Sequence, residues 1–247
     1  NGHPSPPEEK KVPGAASGGG GGGGGGWAGA PGPAAPALKE GRVAVRALER
    51  GRQAVLLRRG GLRERPFESQ EALPGRFLLL PTAFHADHLR EGVAPLDFDG
   101  GGIGPGSAAP ARAGEVAVRS YAELTGAWAA PPESARDLFD ELADEELHIW
   151  SPEFFSARLE RAKPGPTSVL ELRVYLAAEP VSVREADFAG CFSWVDLGAG
   201  SASVLDAPAE PAMGFLEFSR RQAALRAALD RVAPGCPRLA VRGGPGA

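Results

Sequence analysis

The clearest pattern in this chain lies over positions 169–176, where Leu170, Leu172, Val174 and Leu176 alternate with Glu171, Arg173 and Tyr175. Side chains on a β-strand point to opposite faces in turn, so an apolar residue at every second position predicts one buried face. Glu171, Arg173 and Tyr175 fall together on the other face. The segment is therefore predicted to be a half-buried β-strand.

Shorter apolar runs predict further strands. Residues 43–48 and 54–57 flank a tight glycine-containing turn, which favours a β-hairpin, with a helix over 43–48 as the competing interpretation. Residues 77–80 are continuously apolar and closed by proline, as in a buried strand. Residues 116–121 alternate, and residues 192–197 form one more apolar segment, so both are predicted to be strands.

Three segments have the spacing of amphipathic helices. A helix is predicted after Pro131, and one of its faces is acidic, which is typical of a solvated surface. Ser151 followed by Pro152 is a helix start, since serine caps and proline suits the first turn. Residues 215–232 predict the last helix, with inward-facing Phe215, Phe218, Leu225, Leu229 and Val232.

These elements mix without a regular βαβ alternation, which predicts an α+β fold. We expect a single mixed, mainly antiparallel sheet with three or four helices in one domain over residues 37–232. Residues 1–36 are rich in glycine, proline and alanine and are predicted to be a disordered tail. A glycine- and proline-rich mobile insert is expected near 91–114, and a second disordered tail over 233–247.

Composition narrows the function classes. The formal net charge of −4 argues against a general nucleic-acid coat, which needs broad positive potential, but leaves room for a local basic patch. No signal peptide or membrane span is visible, so a cytoplasmic protein without a membrane partner is expected. The two cysteines, Cys191 and Cys236, make no disulfide framework.

An arginine- and glycine-rich loop after residues 54–57 is the best candidate for ligand binding. Paired glycines let backbone amides approach an anion, and arginines offer forked donors to phosphate or carboxylate. The alternative is a solvated turn whose arginines pair with the acidic helix. Neither a Walker motif nor a dinucleotide fingerprint is present, so no cofactor is implied. The predicted ligand-binding residues are Arg58, Arg59, Gly60, Gly61, Arg63, Thr82 and His85.

Residues with catalytic chemistry are spread along the chain. His85 and His88 stand in an H-x-x-H spacing, but with only distant partners they do not predict a metal site. Cys191 could act as a nucleophile only beside a base that lowers its pKa, and a small buried cysteine is the competing interpretation. The candidate catalytic residues are Lys39, Glu40, His85, His148, Arg173 and Cys191.

Several short motifs, in order, resemble a bacterial family known as domain of unknown function 1802. They are residues 37–40, 56–61, 77–82 with His85, 148–150, 172–175 and 190–195. The family has no assigned activity, so the resemblance implies a fold and no mechanism. Residues 121–126 and 194–197, after the opening hairpin, also resemble pieces of a Nudix-type fold. The R-E-x-x-E-E helix that holds magnesium is absent, so that resemblance implies a degenerate Nudix-like sandwich that binds and does not hydrolyse.

The leading functional hypothesis is a binding domain for a phosphate-bearing ligand, a nucleotide or a nucleic acid. An enzyme, such as a hydrolase or nuclease, is the first alternative, and it requires at least three of the candidate catalytic residues to converge on one cleft. A protein-interaction scaffold that uses the acidic helix over 133–146 is the second. An exposed apolar patch beside that helix would favour it.

Overall fold

The computed structural model describes residues 34–59, 72–82, 114–161, 165–190 and 192–242, and all of them belong to one unit that spans Pro31–Ala247. Helices and strands alternate irregularly along these residues, as an α+β fold requires. In chain order they are β1 (Pro36–Gly41), α1 (Arg42–Glu49), β2 (Val55–Arg59), β3 (Arg76–Thr82), β4 (Glu115–Ala130), α2 (Ala135–Asp144), α3 (Pro152–Arg161), β5 (Thr167–Arg184), β6 (Trp194–Asp196), α4 (Ser203–Asp206), β7 (Ala209–Pro211) and α5 (Phe215–Val232). The predicted fold class is confirmed.

The strands form one mixed sheet in the order β2-β5-β4-β3-β1-β6, and β7 pairs with β5. Among the described strands only β1 and β3 run parallel, so the sheet is mainly antiparallel, as predicted. The parallel register places Gly41 opposite Thr82, so the carboxyl ends of β1 and β3 meet. Helix α1 begins at that edge, directly after Gly41.

The alternating segment lies in β5, which is more than twice as long as its sequence pattern indicated. It spans Thr167–Arg184 and pairs with β4 along most of this length. Leu170, Leu172 and Val174 are buried on one face, which confirms the predicted apolar face. Beyond Leu176 the strand becomes more exposed, although half-buried Val181 and Val183 still alternate with exposed Ser182 and Arg184.

The predicted hairpin is wrong in its first half. Residues Arg42–Glu49 form a helix, and β2 pairs with β5, with Val55 opposite Glu171. Val43 and Val45 suggested alternation, yet Ala44 and Leu48 are also buried. Only a helix buries both sets, because its apolar face recurs every three to four residues. The competing helical interpretation is therefore the correct one.

Apolar side chains fill the inside of the sheet. Leu38, Phe77 and Trp194 are almost fully buried there, and the rings of Phe77 and Trp194 meet edge to face with centroids 4.9 Å apart. Helix α1 closes this core, since Ala44, Val45 and Leu48 belong to the same cluster. Helices α2 and α5 pack on a second cluster, which contains Leu138, Leu142, Leu225 and Leu229.

The bounds of α5 match the predicted helix, and Phe218, Leu225 and Leu229 point inward as expected. Phe215 does not, because 65% of its surface is exposed. It is the first residue of the helix, and the buried stripe begins one turn later, at Phe218. Packing in the core therefore does not account for a phenylalanine at this position.

Residues 233–242 do not behave as the disordered tail that their composition suggests. The amide of Leu239 donates to the carbonyl of Ala127, and the amide of Ala129 donates to the carbonyl of Pro237. The tail therefore follows β4, because the edge of a strand leaves backbone donors and acceptors that another segment can satisfy.

Several predictions fall outside the described residues. These are the tail over 1–33, almost all of the insert near 91–114, and residues 243–247. One element of the expected Nudix-like arrangement, the opening hairpin, is not formed, because Arg42–Glu49 is a helix. Within the described ranges, no helix combines the length and the apolarity needed to cross a membrane.

Candidate functional site

The structure brings two of the predicted site residues together, Arg58 and Glu40. One guanidinium nitrogen of Arg58 lies 3.6 Å from Glu40 Oε2 and donates to the carbonyl of Lys39 at 3.3 Å. The other donates to Ser193 Oγ at 2.7 Å. Both charged side chains are mostly buried, with 17% of Arg58 and 12% of Glu40 exposed.

These contacts give Arg58 a structural role. It lies on β2, at one end of the strand order, whereas Lys39 and Ser193 lie on or beside β1 and β6 at the other end. The guanidinium therefore ties the two edges of a curled sheet to each other. Arg58 has less free hydrogen-bonding capacity for a ligand than its place before a glycine loop indicated.

The side chains of Lys39, Arg59 and Thr82, three further predicted site residues, bind backbone carbonyls. Lys39 Nζ donates to the carbonyls of Phe188 and Gly190, at 2.5 and 2.8 Å. Arg59 donates to the carbonyl of Gly165 at 3.1 Å, and Thr82 Oγ1 donates to the carbonyl of Glu40 at 3.3 Å. Each of these groups satisfies a backbone carbonyl of the protein, which is a structural use of its charge or hydroxyl.

Five of the predicted site residues lie outside the described residues. They are Gly60, Gly61, Arg63, His85 and Cys191. The arginine and glycine loop as an anion site, and Cys191 as a nucleophile, therefore stay predictions. Among the described residues, no three His, Cys, Asp or Glu side chains lie close enough together to hold a metal ion.

His148 is a buried structural residue. Its Nε2 lies 3.1 Å from the carbonyl of Phe139, and its Nδ1 accepts the amide of Trp150 at 3.2 Å. The ring also stacks on that of Phe139, with centroids 4.2 Å apart. These partners fix the neutral tautomer with the proton on Nε2, because Nδ1 must accept. Burial lowers the pKa of His148 below its usual value.

This arrangement predicts a loss of stability in mild acid. The unfolded chain protonates His148 near pH 6.5, whereas the folded chain holds it neutral to lower pH, so the unfolded state binds more protons in that window. We expect the free energy of unfolding to fall as the pH drops below about 6.5. Urea titrations at several pH values check this. The His148→Gln variant should show a smaller slope, and an unchanged slope would contradict the assignment.

Arg173 lies in another part of the fold. Its guanidinium carbon sits 5.7 Å from the ring centre of Tyr175, 5.6 Å from that of Phe215 and 5.4 Å from that of Phe218. It therefore forms part of an aromatic cluster at the start of α5. Arg173, His148 and the Glu40–Arg58 pair have no contact partner in common, and the candidates His85 and Cys191 lie outside the described residues.

The charge that sequence reasoning missed lies on α1. Arg42, Arg46 and Arg50 follow one another at four-residue spacing, which places them on one helical face with successive Cβ atoms about 6 Å apart. Arg42 and Arg50 are exposed and Arg46 is half-buried. No carboxylate of the described residues lies within ion-pair distance of any of the three. We call these three residues the arginine face.

The electrostatics of the arginine face are those of unneutralised like charges. Burial lowers the pKa of Arg46, repulsion from Arg42, Arg50 and Arg119 lowers it further, and attraction to Glu49 offsets this only in part. Arg119 differs from the others because it is held by Glu49, with Nη2 at 2.7 Å and Nε at 3.1 Å from Oε2. Its pKa is raised by that bond. Glu49 thus neutralises one neighbour and leaves the arginine face positive.

One sequence signal predicts this face. Arginine recurs at every fourth position among alanine, valine and leucine, which is a helical period. In a strand every second residue shares a face, so residues 42, 46 and 50 would lie on the same face as residues 44 and 48. Ala44 and Leu48 are apolar, so a strand would mix charge and core on that face. The helical interpretation separates them.

The chain was compared with known proteins. Residues 37–224 match the family described as Domain of unknown function (DUF1802). No curated protein and no solved structure matches the chain. Because the match covers most of the chain and includes β1, the arginine face and the greater part of α5, it confirms the resemblance found in the sequence motifs: the protein belongs to the DUF1802 family.

Proposed function

We propose that the protein binds a phosphate-bearing polyanion, a nucleic-acid strand, through the arginine face of α1. The observation that carries the proposal is three neighbouring guanidinium groups without a carboxylate partner among the described residues. Two unit charges about 6 Å apart repel by about 0.7 kcal/mol even in bulk water, so their clustering costs free energy that a bound anion would recover.

Arginine is suited to phosphate in particular. Its planar fork donates two parallel hydrogen bonds to the oxygens of one phosphate group. Successive arginines one helical turn apart offer a row of such forks, which fits a ligand with repeated charges better than a single small anion. This favours a strand over a mononucleotide.

An anionic membrane surface fits the arginine face less well. Amphipathic helices that bind membranes insert their apolar face between lipids. The apolar face of α1 is already used, because Val43, Ala44 and Leu48 are buried in the core of the sheet. Only the charged face is available, and it can contact a ligand without insertion.

Arg58 and Arg59 are less available to a phosphate group than the arginine face. Both guanidinium groups already satisfy backbone carbonyls, and Arg58 also faces Glu40. The arginine face follows β1 directly, at the edge where the parallel strands β1 and β3 end. Ligands of sheets with parallel strands commonly bind outside such carboxyl ends, which supports this location.

Replacing all three arginines by glutamine should abolish most of the binding. If each replacement removes one phosphate contact, and counterion release alone sets the difference, the affinity for a single strand falls on the order of a hundredfold near 0.1 M salt. Fluorescence anisotropy with a labelled oligonucleotide measures it. The fold should persist, since Arg42 and Arg50 are exposed and Arg46 is only half-buried.

A charge-matched variant provides the control. Arg184, Arg220 and Arg231 are exposed and each is paired with a carboxylate. Their replacement by glutamine changes the net charge by the same amount and should leave the affinity within about twofold, because their charges are already neutralised. Equal losses in the two triple variants would show that net charge, and not the arginine face, sets binding.

A further inference from the structure

An exposed apolar patch of two residues, Phe215 and Leu216, lies at the beginning of α5. Phe215 is 65% exposed and the adjacent Leu216 is 83% exposed. Both precede the buried stripe of the helix, so neither contributes to the core. Large apolar side chains that remain exposed side by side are costly unless something covers them.

The residues just before this apolar patch lie next to the end of α1, where Arg50 ends the arginine face. Gly51 follows Arg50, and it approaches the residues before α5 so closely that a β-carbon on Gly51 would stand 2.6 Å from the carbonyl oxygen of Ala212 and 3.4 Å from Cβ of Met213. From α5, Arg221 donates to the carbonyl of Arg52 at 2.7 Å. The end of α1 therefore lies beside the residues that precede Phe215.

Arg173 supplies a cation at the same place. Its guanidinium carbon lies 5.6 Å from the ring centre of Phe215, within the range of a cation–π contact. The described residues place no carboxylate within ion-pair distance of Arg173, and its Nε is buried without a hydrogen-bond partner. An exposed ring with a guanidinium on one side still offers its other side to a flat ligand.

We infer that Phe215, supported by Arg173, stacks on an unpaired base, so that the ligand is a single-stranded nucleic acid. This inference rests on the proposed function, because the arginine face would hold the phosphates of the same strand. Exposed aromatic rings beside a basic surface are the usual means by which proteins bind single strands without reading their sequence.

The same surface discriminates against a duplex. The bases of a duplex are stacked on one another, and their faces are not available to a protein ring unless the base is unstacked at a cost. A duplex can place its phosphates on the arginine face, but it gains nothing from Phe215. The preference for a single strand should therefore depend on this one ring.

The test compares four probes by fluorescence anisotropy or competition with the full chain. They are a labelled single strand, the same strand with abasic positions, a duplex of the same length, and inorganic polyphosphate. Replacement Phe215→Ala should weaken single-strand binding by about five- to a hundredfold, the loss of one stacked base, and leave polyphosphate binding unchanged. The abasic strand should bind the wild type about as weakly as the normal strand binds Phe215→Ala.

A second exposed phenylalanine provides the control. Phe192 is 49% exposed and precedes β6, and among the described residues no guanidinium lies over its ring, so Phe192→Ala should bind every probe like the wild type if the ring supported by Arg173 is the one that stacks. Urea unfolding of both variants confirms that each is folded, which is expected because neither ring is in the core.

The possible failures are distinct. Wild-type binding to polyphosphate and to normal and abasic strands with equal affinity, unaffected by Phe215→Ala, would overturn the stacking site and leave the proposed function standing. Absence of binding to all four probes would overturn the proposed function itself. Tighter binding to duplex than to single strand would also contradict the inference.

Discussion

Glutamine in place of Glu49 is expected to destabilise the fold and, at the same time, to strengthen polyanion binding. Glu49 is 8% exposed, and its two oxygens accept Arg119 and the hydroxyl of Ser120, which is itself fully buried. Removal of a buried ionic partner leaves its neighbours poorly satisfied. Since part of Arg119 remains in water, we expect a loss of about 2–3 kcal/mol in the free energy of unfolding.

The gain in binding has the same physical origin. Glu49 is the carboxylate that neutralises Arg119, next to the arginine face. Without it, Arg119 becomes a fourth free guanidinium, and one additional phosphate contact should raise the affinity for a single strand about fivefold near 0.1 M salt. Urea denaturation measures the first effect and anisotropy the second.

Asp187→Asn is the matched control for Glu49→Gln. It removes one negative charge from an exposed pair with Arg184, so it should change neither stability nor affinity by much. A Glu49→Gln protein that is folded but binds a strand no better than the wild type would contradict the role of the arginine face.

Alanine in place of Gly51 is expected to cost about 3 kcal/mol or more. Gly51 has φ +65°, a conformation that costs a residue with a side chain about 1–2 kcal/mol. Its new β-carbon would also meet the Ala212 carbonyl at 2.6 Å, which is backbone and cannot rotate away. The amides of Gly51 and Arg52 end α1 by bonding to the carbonyls of Leu48 and Ala47, a terminus that favours glycine.

Gly214→Ala separates this effect from the general cost of replacing a glycine. Gly214 has φ −60°, and a β-carbon there would meet nothing within 4 Å. We expect its unfolding free energy to stay within about 0.5 kcal/mol of the wild type. Thermal or urea unfolding of the two variants side by side measures the difference. Similar values would mean that α1 and the residues before α5 do not approach as closely as described.

The sequence predicts the fold best where a period is long and unambiguous. The strand predicted over 169–176 and the helix predicted over 215–232 are both confirmed, although Val169 and Glu171 are also buried, on the other face of the strand. Residues 43–48 are too short and too rich in alanine and valine to separate the two periods. What decides in favour of the helix is the space inside the curled sheet, which α1 fills.

The contacts at the candidate site were harder to predict from the sequence than the fold. Arg58 meets Ser193 across 135 positions, and no local pattern predicts a contact of that range. The glycine loop suggested that its arginines face a ligand, whereas Arg58 and Arg59 bind the protein's own carbonyls. The arginine face had a readable signal in its four-residue spacing, and the strand assignment concealed it.

The salt dependence of strand binding tests the central claim most directly. The quantity to compare is the slope of the logarithm of the affinity against the logarithm of the salt concentration. If the arginine face neutralises three phosphates, this slope should be more negative by about 2 for the wild type than for the variant with glutamine at positions 42, 46 and 50. The charge-matched variant at 184, 220 and 231 should keep the wild-type slope. Parallel lines for all three proteins would contradict the account.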